Sequence, residues 1–362
     1  MEYIIFLTYR CNLNCEYCFA KNLVHNREKN TLSITQDKII SICKYIERDI
    51  KINHCENNSI VFFGGEPSLV PNIIEEIIKR TEHLRLNYSI YSNGLLLDRL
   101  PDFILKKLQT ILVAVDGDKE NHEKFKPVGS YETILNNVRA IKGKTKAQVI
   151  GRITLEENSN LYYSVKNLLN SFDFVHWQIV NKENFNNPEK FIAEYKQNLQ
   201  RLFRDWIDAL SSGVVLNIIP FNRIVLSLLS NEALASFRCG CGSTIQAIDV
   251  DGNIYLCDEY IENANNSLGT IYDDNHNLIS HKNHFNLFGD CSQCRIASIC
   301  LGRCRKMLET QPQNNIRVYC KLTRILVDMV VESIEKIEQI VSNQNMDLSN
   351  FHAEIYDTEV IP

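Results

Sequence analysis

The chain has 362 residues, 44% of them hydrophobic, which is enough for one large domain or a large and a small one. Its 39 Lys and Arg face 44 Asp and Glu, and a net charge of −5 gives no electrostatic case for nucleic acid or an anionic membrane as the main partner. No apolar run reaches the length of a membrane span, and Met1 leads into the first apolar run without a charged n-region or cleavage site, so the expected compartment is cytoplasmic. Thirteen cysteines there argue for metal or catalysis before disulfides.

Tyr3-Ile4-Ile5-Phe6-Leu7-Thr8 is apolar and β-rich and predicts a buried strand. Directly after it, Arg10-Cys11-Asn12-Leu13-Asn14-Cys15-Glu16-Tyr17-Cys18-Phe19 sets three thiols at the spacing C-x3-C-x2-C on one short loop. Thiolate is the soft ligand that iron-sulfur clusters take, and a [4Fe-4S] cube ordinarily takes four. Three leave one iron open. A zinc knuckle or a redox thiol set is the alternative reading of the triplet alone. The loop at the carboxyl end of a parallel strand is where barrel active sites are built.

Residues 34–50 carry apolar side chains at helical spacing, Ile39, Ile40, Cys43, Ile46 and Ile50 on one face, which makes Cys43 a core residue. Cys55 lies in a polar loop and fits no ligand set. Residues 59–63 predict a second strand, stopped by Gly64-Gly65-Glu66-Pro67, where the glycines allow a close backbone approach and the proline ends the strand. The alternation then repeats. Helix 71–83 leads to strand 88–91, ending in Ser92-Asn93-Gly94, and helix 100–107 to strand 111–115, ending in Asp116-Gly117. Helix 131–142 leads to strand 148–154, and helix 160–170 to strand 174–180, where His176 and Trp177 read as packed residues, like the Tyr162-Tyr163 pair. Six strands alternating with helices predict a parallel α/β architecture, and short right-handed connections favour a partial (β/α)6 TIM-like barrel. A helix over 188–210, with Phe191, Tyr195, Leu199, Leu202, Phe203, Trp206 and Leu210 in one stripe, is expected to cover the open side. A second helix over 223–235 follows it.

Eight cysteines fall between 239 and 320. Cys239-Gly240-Cys241 and Cys257 flank residues 246–256, which read as a β-hairpin with an Asp251-Gly252 turn that brings Cys257 back beside the first thiols. Cys291, Cys294, Cys300 and Cys304 form C-x2-C-x5-C-x3-C, and Cys320 stands alone. Paired C-x2-C units also bind zinc. Asp258, directly after Cys257, is a candidate general base if buried and an ordinary surface carboxylate if not. A helix over 322–341, with Ile325, Val330, Ile334, Ile337 and Val341 broadly in phase, and a polar tail close the chain.

The three-thiol loop, with Phe19 after its third cysteine, and the Gly-Gly-Glu-Pro turn after the second strand resemble the radical S-adenosylmethionine (radical SAM) superfamily. The resemblance implies a [4Fe-4S] cluster on Cys11, Cys15 and Cys18, its open iron chelated by the amino and carboxylate groups of SAM. An electron from that cluster then cleaves SAM to methionine and a 5′-deoxyadenosyl radical, which takes a hydrogen atom from the substrate. It also implies Gly64, Gly65 and Glu66 at the SAM amino group, Ser92 and Asn93 near its methionine and ribose, Arg152 at its carboxylate, and Tyr17 among the cofactor-binding residues. Relatives often carry serine two residues before the Asp-Gly of strand four. Ala114 stands there in this chain and lacks the hydroxyl for a ribose contact.

The later cysteines resemble the SPASM extension of radical SAM enzymes, which implies two auxiliary [4Fe-4S] clusters. By that analogy Cys239, Cys241, Cys257 and Cys304 take the first, and Cys291, Cys294, Cys300 and Cys320 the second. The single residue between Cys239 and Cys241 is tight for two ligands of one cube, so either is also a candidate non-ligand. The implied organisation is a core at 1–235, a SPASM domain at 236–325, and a C-terminal helix and tail at 326–362. Anaerobic sulfatase-maturating enzymes share the Cys-Asp step and use an aspartate there to take the substrate proton, which is the role implied for Asp258.

The resemblance covers nearly the whole chain and implies an enzyme that modifies a residue of a peptide or protein. Its reductant would be of the flavodoxin or ferredoxin kind, and a sulfatase maturase, converting Cys or Ser to formylglycine, is the narrower form. Because the chain starts at its first strand, no leader-binding domain is expected, and the barrel mouth, the SPASM domain or a separate protein would grip a peptide. A non-catalytic iron-sulfur protein for electron transfer or assembly is the alternative from another class. It has no use for Gly64-Gly65-Glu66 or Arg152.

Overall fold

In the computed structural model β1 (Glu2–Phe6), β2 (Ser59–Phe63), β3 (Asn87–Ser92), β4 (Thr110–Ala114), β5 (Gln148–Leu155) and β6 (Phe174–Ile179) pair in parallel as neighbours in chain order. The structure describes residues 1–21, 23, 33–54, 57–182, 184–230, 239–261, 263–273, 289–352 and 362. Cys55, positions 231–235 of the predicted second helix and positions 353–361 of the tail lie outside the described residues. Every crossover carries a helix, as parallel pairing demands. These are α1 (Gln36–Asn53), α2 (Pro71–Thr81), α3 (Asp102–Lys107), α4 (Lys119–Phe125) with α5 (Ser130–Lys142), and α6 (Leu161–Leu168). Cys43 is buried in α1 as its phase predicts, and burial pushes its thiol up to about 12. The sequence reading misses α4, which has no apolar stripe; its mark is the N-cap Asp118, whose side chain accepts from the Asn121 amide at 2.9 Å.

The sheet stays open. β6 is one edge, and beyond β1 the sheet continues through β7 (Ile245–Ile248), parallel to β1, then the antiparallel β8 (Asn253–Tyr255) and β9 (Gly269–Thr270). β7 and β8 are the expected hairpin. Gly252 turns at φ +88°, and Asp249 accepts from the amides of Asp251 and Asn253 at 2.8 and 2.9 Å. The hairpin is an extension of the barrel sheet: Glu2 lies opposite Ile245 and Ile5 opposite Ile248, and Tyr45 Oη donates to Gln246 Oε1 at 2.6 Å. Cys239, Cys241 and Cys257 are thereby tied to the strand that leads into the first cysteine loop.

α7 (Pro188–Ser211), α8 (Ile219–Leu229), α9 (Ala297–Cys300), α10 (Arg305–Thr310), α11 (Gln313–Val331) and α12 (Ile334–Asn343) complete the helices named here. The apolar stripe of α7 is buried as expected, but α7 packs mainly on α6, α11 and α12, and α8 lies along β6. α8 begins at Ile219, ahead of the expected Arg223, because Pro220 in its first turn is pre-set for a helix start. The single C-terminal helix expected from Leu322 is two helices. α11 starts after Pro312, with Ile316 and Tyr319 extending its buried face, and α12 restarts after Glu332-Ser333.

Aromatic rings join these layers. Phe221 of α8 meets Trp177 of β6 at 6.1 Å between centroids, Phe203 at 5.2 Å and Trp206 at 5.8 Å, and Trp206 Nε1 donates to Asn222 Oδ1 at 3.0 Å. Replacing Trp206 by Ala is expected to cost about 3–5 kcal/mol through the cavity left behind, and Trp206→Phe about 1–3 kcal/mol through the unmet buried acceptor. Thermal unfolding followed by circular dichroism ranks the two, and an equal loss would contradict the packing account.

Candidate active site

The loop after β1 places Cys11, Cys15 and Cys18 at the carboxyl edge of the sheet, around a cavity of about 250 Å3. Turn bonds shape it: the Cys18 amide donates to the Cys15 carbonyl at 3.3 Å, and the Leu13 amide to Cys11 Sγ at 3.4 Å. The other walls come from the ends of the neighbouring strands: Gly64, Gly65 and Glu66 after β2, Ser92 and Asn93 after β3, Ala114 of β4, Arg152 and Thr154 of β5, and Gln178 of β6. Every residue expected around SAM therefore faces one space. Tyr17 lines it too, though its hydroxyl is donated to the buried Asp116.

The glycines do something the sequence reading does not anticipate. A Cβ on Gly64 would overlap the Thr8 carbonyl and one on Gly65 the Arg10 carbonyl, and Gly64 sits at φ +142°. The Gly65 amide donates to Thr8 O and the Glu66 amide to Arg10 O, both at 2.8 Å. The close approach is thus to the backbone of the cysteine loop itself. Glu66, 1% exposed, accepts at Oε1 from the Ser68 amide and hydroxyl and from Ser92 Oγ, and at Oε2 from the Asn93 amide. Burial pushes its carboxyl up, and these hydrogen bonds pull the other way. The carboxylate and the Ser92 hydroxyl are engaged within the protein, so they shape the wall. Asn93 Nδ2 donates to Asn12 Oδ1 at 2.7 Å, closing the link back to the cysteine loop.

The two later sets of four cysteines also come together. Cys239, Cys241, Cys257 and Cys304 line a second cavity of about 130 Å3 with Asp258 and Arg152. Gly240, at φ +76°, turns the chain so that both Cys239 and Cys241 reach it. Cys241 is hydrogen-bonded to Cys257, whose thiol is raised by that bond and by burial. Cys291, Cys294, Cys300 and Cys320 line a third cavity of about 710 Å3, where Arg324 Nη2 donates to Cys294 Sγ at 3.7 Å. Arg303, buried, lines both the second and the third.

Burial lifts the Cys11 thiol to about 11 and raises Cys15, Cys18 and Cys320 as well. Such thiols ionise only against a compensating cation, which is what a metal supplies. None of the twelve described cysteines forms a disulfide. Among the described residues no three His, Cys, Asp or Glu side chains converge as one metal ion would require. The thiols ring open space, and soft donors in sets of three, four and four fit iron-sulfur clusters better than zinc.

Asp258 is half-buried and lines the second cavity beside Arg152: desolvation raises its carboxyl and the Arg152 charge draws it down. The first and second cavities share Tyr91, Leu112, Arg152, Gln178, Ile179, Asn181 and Glu259, so they adjoin. His176 is buried and lines none of the three cavities. Sequence reasoning missed Thr154 and Gln178, which strand alternation from Arg152 and His176 could have found, and Lys126 and Arg303, which no local signal marks.

Residues 5–158 match the family model described as the radical SAM superfamily. A radical SAM cyclopropyl synthase, TigE, of Paramaledivibacter caminithermalis is 25% identical over 91% of this chain and 73% of its own length. A cysteine-type anaerobic sulfatase-maturating enzyme of Clostridium perfringens is 25% identical over 86% of this chain and 90% of its own. Among solved structures, native anSMEcpe with bound AdoMet superposes with a TM-score of 0.74 at 20% identity, covering 94% of this chain and 99% of that one. Streptococcus suis SuiB bound to precursor peptide SuiA gives 0.58 at 17% identity, over 85% and 72%. Residues 5–158 are thus a radical SAM domain, and the α/β fold with an open parallel sheet is the fold of these neighbours.

Gly65→Ala is expected to push the cysteine loop away from β2 and lose iron at that site. Gly143→Ala, with nothing within 4 Å of its Cβ, should keep it. Iron and sulfide analysis of both reconstituted proteins checks this, and equal iron in the two would contradict the interlock.

Proposed function

We propose that the protein is a radical SAM/SPASM enzyme that modifies a residue within a peptide or protein, with one SAM-binding and two auxiliary [4Fe-4S] clusters. The observation that carries this is the adjoining of the three-thiol cavity and the Asp258 cavity through a common wall. Cys11, Cys15 and Cys18 would hold the SAM-binding cluster, and Gly64, Gly65, Glu66, Ser92, Asn93, Tyr17 and Arg152 would surround SAM. Cys239, Cys241, Cys257 and Cys304 would hold the first auxiliary cluster, and Cys291, Cys294, Cys300 and Cys320 the second. When bound, the cluster and SAM supply one-electron cleavage of the sulfonium and abstraction of a hydrogen atom from the substrate.

The remaining work falls to the chain's own side chains. Tyr91, Leu112 and Ile179 form the apolar part of the shared wall, beside the polar Arg152, Gln178, Asn181 and Glu259. Arg152 serves both cavities: its planar fork suits a carboxylate on the SAM side, and its charge reaches Asp258 on the other. Asp258 is placed to receive a proton at a carboxylate oxygen from a substrate residue between the cavities. The peptide class is supported by relatives that act on peptides or proteins by name, SuiB with its precursor peptide and the sulfatase-maturating enzymes among them. The narrower maturase reading, Cys or Ser to formylglycine, draws on the Cys257-Asp258 step and on the near-full coverage of the Clostridium relatives.

We place the protein in the cytoplasm, with a flavodoxin or ferredoxin as reductant. No helix among the described residues is long and apolar enough to cross a membrane.

Anaerobically reconstituted protein given dithionite and SAM is expected to form 5′-deoxyadenosine, detected by mass spectrometry. Its absence would favour a non-catalytic iron-sulfur protein. Joint replacement of Cys11, Cys15 and Cys18 by Ala should abolish that product while the absorbance of two clusters persists; loss of all iron would contradict the partition. With a peptide substrate, Asp258→Asn should still cleave SAM but form modified peptide about 100-fold more slowly. Undiminished turnover removes Asp258 from the mechanism.

A further inference from the structure

Lys126 follows α4 with its side chain 1% exposed, a costly place for an ammonium unless its charge is met. Nζ lies 3.0 Å from Asp116 Oδ2 and donates to the Ala114 carbonyl at 3.0 Å. Asp116 is itself fully engaged: Oδ1 accepts from the Thr154 amide at 3.1 Å, and Oδ2 also takes the Tyr17 hydroxyl. His122, whose Nδ1 accepts from the Asp116 amide at 3.1 Å, stays neutral, its pKa pushed down to about 4 by burial and by Lys126. Lys126 is thus the cation of this buried nest. It also lines the same cavity as Cys11, Cys15 and Cys18. Tyr17, which Asp116 holds, stands in the chain between Cys15 and Cys18.

We infer that Lys126 is a positioning residue for the three-thiol site: held by Asp116, its ammonium is the counter-charge for added negative charge on the metal group those thiols bind, and the Tyr17–Asp116–Lys126 chain fixes the loop against β4 and β5. The inference rests on the proposal that those thiols hold an iron-sulfur cluster. Reduction adds an electron to a group whose ligands are already anionic. A fixed cation in a low-dielectric wall favours the reduced state, and its effect is larger there than in water.

The test is a redox titration of the reconstituted holoprotein, read by the electron paramagnetic resonance signal that changes when SAM is added. Wild type, Lys126→Met and Lys126→Arg are compared at known iron content. Lys126→Met is expected to reduce only at a more negative potential, with Lys126→Arg close to wild type. Failure of Lys126→Met alone to load the cluster supports the same role. An unchanged potential in Lys126→Met overturns the inference, as does an equal shift or an equal loss of cluster in Lys126→Arg, because volume would then matter and charge would not. A wild type without any SAM-responsive signal would instead remove the underlying cluster reading, which is a separate failure.

Discussion

The site depends on the interlock between the loop that carries Cys11, Cys15 and Cys18 and the Gly64-Gly65-Glu66 turn. Two backbones meet there at hydrogen-bond distance with no room for a side chain between them. The buried Glu66 carboxylate then requires donors, and it takes them from Ser68, Ser92 and Asn93. Three strand ends are thereby fixed to one another before any ligand arrives. Parallel pairing makes this possible, because it delivers the ends of β1, β2 and β3 to the same edge of the sheet.

A second regularity is electrostatic. Each thiol set has fixed cations in its wall: Lys126 and Arg152 at the first, Arg152 and Arg303 at the second, Arg303 and Arg324 at the third. Anionic metal groups in a low-dielectric interior need such partners. Arg152 and Arg303 belong to two cavities apiece, so the three sites form one electrostatic series.

Much of this was legible in the sequence. The six parallel strands are continuous β-rich apolar runs, and they appear within about a residue or two of their observed ends, which is how such strands announce themselves. The spacing marked the first three thiols as one set, while the division of the later eight came from the SPASM resemblance; those two sets line separate cavities, and the Gly240 turn lets both Cys239 and Cys241 reach one of them. What escaped notice has a common cause. α4 and the early start of α8 are set by a cap and a proline, not by apolar phase, and no side-chain cap marks the break at Glu332-Ser333. Lys126 and Arg303 act through tertiary contacts, and Gly64-Gly65 serves a neighbouring backbone, so no local pattern reveals their roles. The hairpin was legible, but its pairing with β1 was not, since two parallel strands more than two hundred residues apart share no local signal.

The central claim is that three cysteines hold a cluster whose remaining iron is reserved for SAM. Electron-nuclear double resonance of the reduced protein, with SAM labelled by nitrogen-15 in the amino group and oxygen-17 in the carboxylate, tests it most directly. Hyperfine coupling from both labels to the cluster is the expected result. Uncoupled labels beside a cluster closed by a fourth protein ligand, or zinc in place of iron at Cys11, Cys15 and Cys18, would contradict it.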